Sequence, residues 1–144
     1  MPRRLNDQIV VKPAVEISTG PAAAALVSIP VDATGYSRAR FVVSLKPNGN
    51  SASLSTGLGV WQASTSGATY ALISGASAAA ITSGLISGGA NNNVVIDVPV
   101  SSANPWMQLS GSIVGSGAPH HGTVELYSGV NRPPTHSELS VVVV

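Results

Sequence analysis

The side chains able to do chemistry in this chain are Asp97, Glu125, the adjacent pair His120 and His121, His136 and a large population of serines. A hydrolytic triad needs one serine held on a strained turn beside an imidazole that a carboxylate orients. The Gly-x-Ser-x-Gly elbow that builds such a turn is absent, and serine is a bulk loop residue with no position singled out. His120, His121, Glu125 and His136 are ligand types that suit zinc and similar ions. Neighbours on an extended strand point to opposite faces, however, so His120 and His121 cannot both serve one site. The acidic residues Asp7, Glu16, Asp32, Asp97, Glu125 and Glu138 stand singly, with no local pair of the kind a glycosidase needs. Neither Gly-x-Gly-x-x-Gly nor a Walker loop occurs. The expectation is a protein without catalytic residues, metal or cofactor.

What remains must act by contact. Only 9% of the 144 residues are charged while 44% are hydrophobic, against roughly a quarter charged in an ordinary soluble domain. Mean hydropathy is +0.30. Surfaces so poor in charge associate unless neighbouring subunits cover them. The net charge of +1 is too small to steer the chain to nucleic acid or anionic lipid, and no run of basic residues interleaves with aromatics. No apolar run approaches membrane-spanning length. Nucleic acid and membrane are therefore not expected partners. The basic residues Arg3, Arg4, Lys12, Arg38, Arg40 and Lys46 all precede residue 47, which makes the N-terminal third locally basic. Without cysteine there is neither disulfide nor thiolate chemistry, and packing alone must hold the fold.

The elements that would position these residues read as strands. Residues 1 to 24 carry Pro2, Pro13 and Pro21 among polar residues and read as an extended arm with a candidate extended piece at Ile9 to Val15, leaving 25 to 144 as a single sandwich domain. In Arg38–Leu45, Phe41, Val43 and Leu45 share one face at period two, which places Phe41 in the core. Arg38 and Arg40 share the opposite face, read as solvated or as a contact to an acidic partner. Lys46 to Asn50 is a turn, and Ser53 to Ala63 is the next strand, where Gly57 and Gly59 signal a bulge or close backbone approach. The continuous run Val94 to Val98 predicts a strand covered on both faces. Trp106 to Val114 and Thr123 to Tyr127, joined by a Gly-rich stretch, read as a hairpin. Trp61 and Trp106 adjoin apolar neighbours and are assigned with Phe41 to the core. Val141, Val142, Val143 and Val144 end the chain as an uncharged β-branched run whose open edge needs a partner. About eight strands and no long amphipathic helix predict an all-β, antiparallel two-sheet sandwich, with a jelly roll the expected version.

The segments Asp32-Ala-Thr-Gly-Tyr-Ser-Arg-Ala-Arg-Phe-Val-Val, Gly59-Val-Trp-Gln-Ala-Ser-Thr-Ser-Gly-Ala-Thr-Tyr, Val94-Val-Ile-Asp-Val, Trp106-Met-Gln-Leu and Val124-Glu-Leu-Tyr-Ser-Gly-Val-Asn-Arg-Pro-Pro run through the stretch from Asp32 to Pro134. As a pattern they resemble the capsid decoration, or cement, proteins of tailed phages. The resemblance implies a jelly-roll subunit made in the host cytoplasm and carried on the virion, on the outer surface of the capsid. It implies the major capsid protein as partner and a homo-oligomer, a trimer before a dimer. The mechanism would be avidity, each copy bridging neighbouring capsid subunits through many modest contacts. On this reading Arg3, Arg4 and Lys12 are candidates for the capsid contact and Val141 to Val144 for contacts between subunits. A tail or neck structural protein, or a carbohydrate-binding module with Trp61 or Trp106 exposed, are the alternative roles.

Overall fold

The computed structural model describes residues 9–16, 23–45, 53–77, 93–114, 120–128 and 140–143. Those residues form ten strands and no helix: β1 (Ile9–Glu16), β2 (Ala23–Val27), β3 (Val31–Asp32), β4 (Arg38–Leu45), β5 (Ser53–Ala63), β6 (Ala71–Ser77), β7 (Asn93–Pro99), β8 (Trp106–Val114), β9 (His120–Tyr127) and β10 (Ser140–Val143).

Two sheets share them. The first runs β1-β9-β4-β7-β10 and the second β2-β8-β5-β6, with β3 also on β8. The antiparallel partners are nested: β5 with β6, β4 with β7, β2 with β8, and β1 with β9. A long hairpin folded over on itself produces this order, and it defines a jelly roll. The expected all-β two-sheet sandwich is therefore the observed fold. β10 is an addition to the wind, and its pairing with β7 is the only parallel one among the described residues.

Period-two alternation selects the inner face of each sheet. Phe41 and Val43 of β4, Ile96 and Val98 of β7, and Val124 and Leu126 of β9 meet Leu58 and Val60 of β5 and Met107 and Leu109 of β8 in one buried cluster. Phe41 is completely buried. In β7 every residue from Val94 to Val98 is buried, so the strand is covered on both faces as its apolar run predicts.

Bulges shape the second sheet. Between Thr56 and Gly59, β5 advances three residues while β8 advances two. A Cβ on Gly59 would stand 2.9 Å from Leu72 Cδ1 and 3.4 Å from Trp61 Nε1, so these two side chains lie over Gly59 and a larger residue there would have to displace the leucine end. Between Leu72 and Ser77, β6 advances five residues while β5 advances two. Gly75 adopts φ 79° there, a conformation that glycine takes at little cost, and the slip breaks the row of backbone groups along this sheet edge. At the opposite edge, Ser28 separates β2 from β3 yet keeps the ladder closed. Its N–H donates to the Leu109 carbonyl at 2.9 Å, its Oγ accepts from the Leu109 N–H at 2.8 Å, and its carbonyl accepts from Gln108 Nε2 at 3.0 Å.

Three sequence expectations are corrected. The stretch 1–24 is not an arm throughout, because Ile9–Glu16 pairs along β9 and Ala23 onward pairs with β8. The extended piece read at Ile9 to Val15 is this strand, and its proline fits an edge strand with one side unpaired. β8 and β9 do not form a hairpin; they lie in opposite sheets. Trp61 and Trp106 are not core residues but half-buried ones on the outer face of their sheet, since Val60, Leu109 and Met107 beside them take the inner face. Periodicity in Trp106 to Val114 marks two faces without saying which is inside.

The different depths of these residues set their energetic weight. Phe41→Ala is expected to cost about 3–5 kcal/mol, the loss of a fully buried aromatic ring plus the cavity left behind. Leu72→Ala, at a position 44% exposed, should cost under about 1 kcal/mol. Urea unfolding midpoints of the two variants measure the difference.

Candidate functional site

The outer face of the first sheet carries charge that the structure holds out of water. The register sets Arg38 between Tyr127 on β9 and Pro99 on β7, and sets Arg40 between Glu125 and Asp97. Arg38 Nε donates to Asp97 Oδ1 at 2.8 Å and the Tyr127 hydroxyl donates to Asp97 Oδ2 at 2.5 Å. Arg40 Nη1 lies 3.8 Å from Glu125 Oε2. Asp97, Arg40 and Tyr127 are exposed by only 3%, 5% and 1%. A lone buried carboxylate costs several kcal/mol in lost hydration. Here both oxygens of Asp97 accept hydrogen bonds, one of them charge-assisted.

This arrangement alters the reading of several residues. Arg38 and Arg40 do not form a solvated face; their acidic partners belong to the same chain. A detectable signal existed in the single acids Asp97 and Glu125, each inside an apolar strand, since a charge in such a place needs a partner. Asp97 is engaged with Arg38 and Tyr127 and so is not poised to orient a histidine. Its backbone position and that of His121 are separated by two strand spacings and about four residues along the strands, roughly 16 Å in all. Among the described residues no three His, Asp or Glu side chains gather as metal ligands would.

The outer face of the second sheet is of another kind. Trp61 pairs with Gln108 on one side and Leu72 on the other, and Trp106 pairs with Ala63 and Asp32. Trp61 and Trp106 are thus diagonal neighbours across β5 and β8, at a spacing their side chains can bridge. With Leu72 they make a neutral aromatic strip, bordered by Asp32. At one end of the sandwich the loops enclose an open depression of about 360 Å³ lined by Thr34, Tyr36, Ser37, Ser102 and Ser128 among others. Its walls are tied by Val100 N–H to the Ser37 carbonyl at 2.9 Å and Ser37 N–H to the Tyr127 carbonyl at 3.2 Å.

Of the other predicted residues, Lys12 lies in edge strand β1 opposite Val124, and Val141, Val142 and Val143 lie in β10 opposite Val95, Ile96 and Asp97. Arg3, Arg4 and Val144 lie outside the described residues.

The strand order and these two faces define a jelly-roll sandwich with a paired polar ladder on one side and an aromatic strip on the other. Such a fold also occurs in a chain of the structure of infectious bursal disease virus, Gx strain, which superposes with a TM-score of 0.51 over 88% of this chain at 12% identity. The likeness covers 33% of that longer chain, so this chain spans about a third of its length. No family model matches the sequence, and no curated protein matches it.

The Tyr127 phenol has its pKa raised above 10.0, first by burial and then by its hydrogen bond to Asp97 and the charge there, with Arg38 opposing. A folded chain that keeps this proton while the unfolded chain loses it must lose stability as pH rises above the ordinary phenol value of about 10. The contribution is complete below that pH. Tyr127→Phe is expected to lower stability at pH 7 by about 1–2 kcal/mol and to flatten the alkaline decline. The slope due to Tyr70, also raised by burial, should remain. Chemical denaturation of both proteins from pH 8 to 11.5 checks this.

Proposed function

We propose that this chain is a structural protein of a virus particle, which binds the outer surface of the capsid and stabilises it by bridging neighbouring capsid subunits. The observation that carries the reading is the complete jelly-roll wind, shared over 88% of the chain with a chain of a virus structure. The low charged fraction of 9% supports it, since surfaces of this kind suit burial in an assembly. Function on this reading is binding energy without catalysis or cofactor. The partner is the major capsid protein of a tailed phage, reached by a homo-oligomer formed in the host cytoplasm. The basic residues Arg3, Arg4 and Lys12 supply the capsid contact by charge complementarity, which mainly affects how fast and how specifically the partners meet.

One observation favours a second role. Trp61, Trp106 and Gln108 on the outer face of the second sheet combine aromatic surface with an amide, the chemistry that neutral sugars stack against and hydrogen-bond to. A carbohydrate-binding module would use that strip and would lose glycan binding, while staying folded, in Trp61→Ala and Trp106→Ala.

The capsid reading is tested by mixing the purified chain at micromolar concentration with expanded empty capsids of the phage that encodes it, then pelleting the capsids. Saturable cosedimentation is expected. Joint replacement of Arg3, Arg4 and Lys12 by alanine should weaken binding about tenfold, the sum of three modest exposed ion pairs. Failure of the unaltered chain to pellet with these capsids overturns the reading.

A further inference from the structure

We infer that β10 is an exchangeable strand, supplied by one copy of this chain to the β7 edge of another. The inference concerns contacts between copies and holds whether or not the chain binds a capsid.

The nested wind from β1 to β9 is complete without β10, which adds one parallel pairing at the end of the first sheet. β10 can therefore leave or change hosts without opening the core. What it covers is the edge of β7, whose residues Val94 to Val98 are buried by 97% or more of their surface. An edge of this largely apolar composition, its one acid Asp97 already engaged by Arg38 and Tyr127, is when left bare a template for pairing with another chain. The natural occupant is the segment that matches it in register, Ser140 opposite Val94 through Val143 opposite Asp97.

Geometry makes a second copy as accessible a host as the first. β10 runs parallel to β9 and is separated from it by β4 and β7, three strand spacings or about 14 Å. Through the ladder, Ser140 stands level with Gly122, so the chain must also return about 17 Å along the sheet from Tyr127. The straight span is roughly 22 Å, while thirteen residue steps reach at most about 45 Å. That length is twice what the return within one chain demands. In sequence it contains Pro133-Pro134, and the residue before a proline is biased to extended backbone, which disfavours a tight return. Exchange of an identical element keeps every contact while linking two copies, so it adds association at little cost. Edge-to-edge exchange gives a ring when the rotation closes.

The chain has no cysteine, so one engineered pair reports the strand's host without interference. Register partners on adjacent strands stand close to the spacing a disulfide spans. The double variant Val95→Cys with Val141→Cys, oxidised at micromolar concentration, should run on a non-reducing denaturing gel at two or more times the monomer mass and collapse to monomer on reduction. A band at monomer mass alone, cross-linked or not, overturns the inference. As a second measurement, the full chain should sediment as an oligomer. A chain ending at Leu139 should sediment as a monomer with an unchanged β-sheet circular dichroism spectrum. If the shortened chain folds and keeps the mass of the full chain, β10 is not the link and the inference fails; if it does not fold, the cross-link decides.

Discussion

The carboxylate of Asp97 is held from two directions, by Arg38 on the adjacent strand and by the hydroxyl of Tyr127 reaching across from the strand beyond it. These bonds form only when β4 lies between β9 and β7 in the observed register. A slip of one residue would turn Phe41 and Val43 outward and Arg38 and Arg40 into the core. The same slip would leave buried charges without partners, a cost of several kcal/mol each. The polar ladder on the outer face and the apolar cluster on the inner face thus enforce one alignment from opposite sides of the sheet. The rest of the wind is built on that alignment, since β1 and β10 attach to the two strands it fixes.

Most of the local structure was legible in the residues. Phe41 and Val43 alternate with Arg38 and Arg40, and the unbroken Val94 to Val98 run announces a strand with two covered faces. Gly59 marks the place where β5 departs from regular pairing. Partners were less legible, because a jelly roll pairs strands from distant parts of the chain and proximity in sequence misleads. That is why Trp106–Val114 and Thr123–Tyr127 read as a hairpin although each pairs in a different sheet. The β1 strand was legible as an extended piece at Ile9 to Val15, but its pairing with the distant β9 was not.

The outer faces were the least legible part. Alternation identifies two faces of Trp106–Val114, and large aromatic rings bias the reading toward placing Trp106 inside. The smaller Met107 and Leu109 in fact fill the space between the sheets, leaving both tryptophans in the strip outside. The arginines fail in the opposite sense: charge in a strand reads as solvent exposure, yet Arg40 is more deeply buried than either tryptophan. Long-range ion pairing reverses the usual rule, and only the isolated acids at Asp97 and Glu125 hint at it. One side of the molecule thereby pairs its charges within the chain. The other is left with neutral aromatic surface and little charge to keep neighbours apart.

The nesting of the strand pairs bears on how the chain reaches this state. β5 and β6 are separated by a short turn, so their pairing closes only a small loop. Once they meet, β4 and β7 are brought near one another, and each successive pair inherits a loop already shortened by the pair inside it. The entropy of closure, which would be large for β1 and β9 meeting as the free ends of a coil, is spread over several small steps. The order of closure that costs least entropy therefore runs from the middle of the chain toward its ends. Closure of the outermost pair, β1 with β9, depends most on the pairs nested inside it.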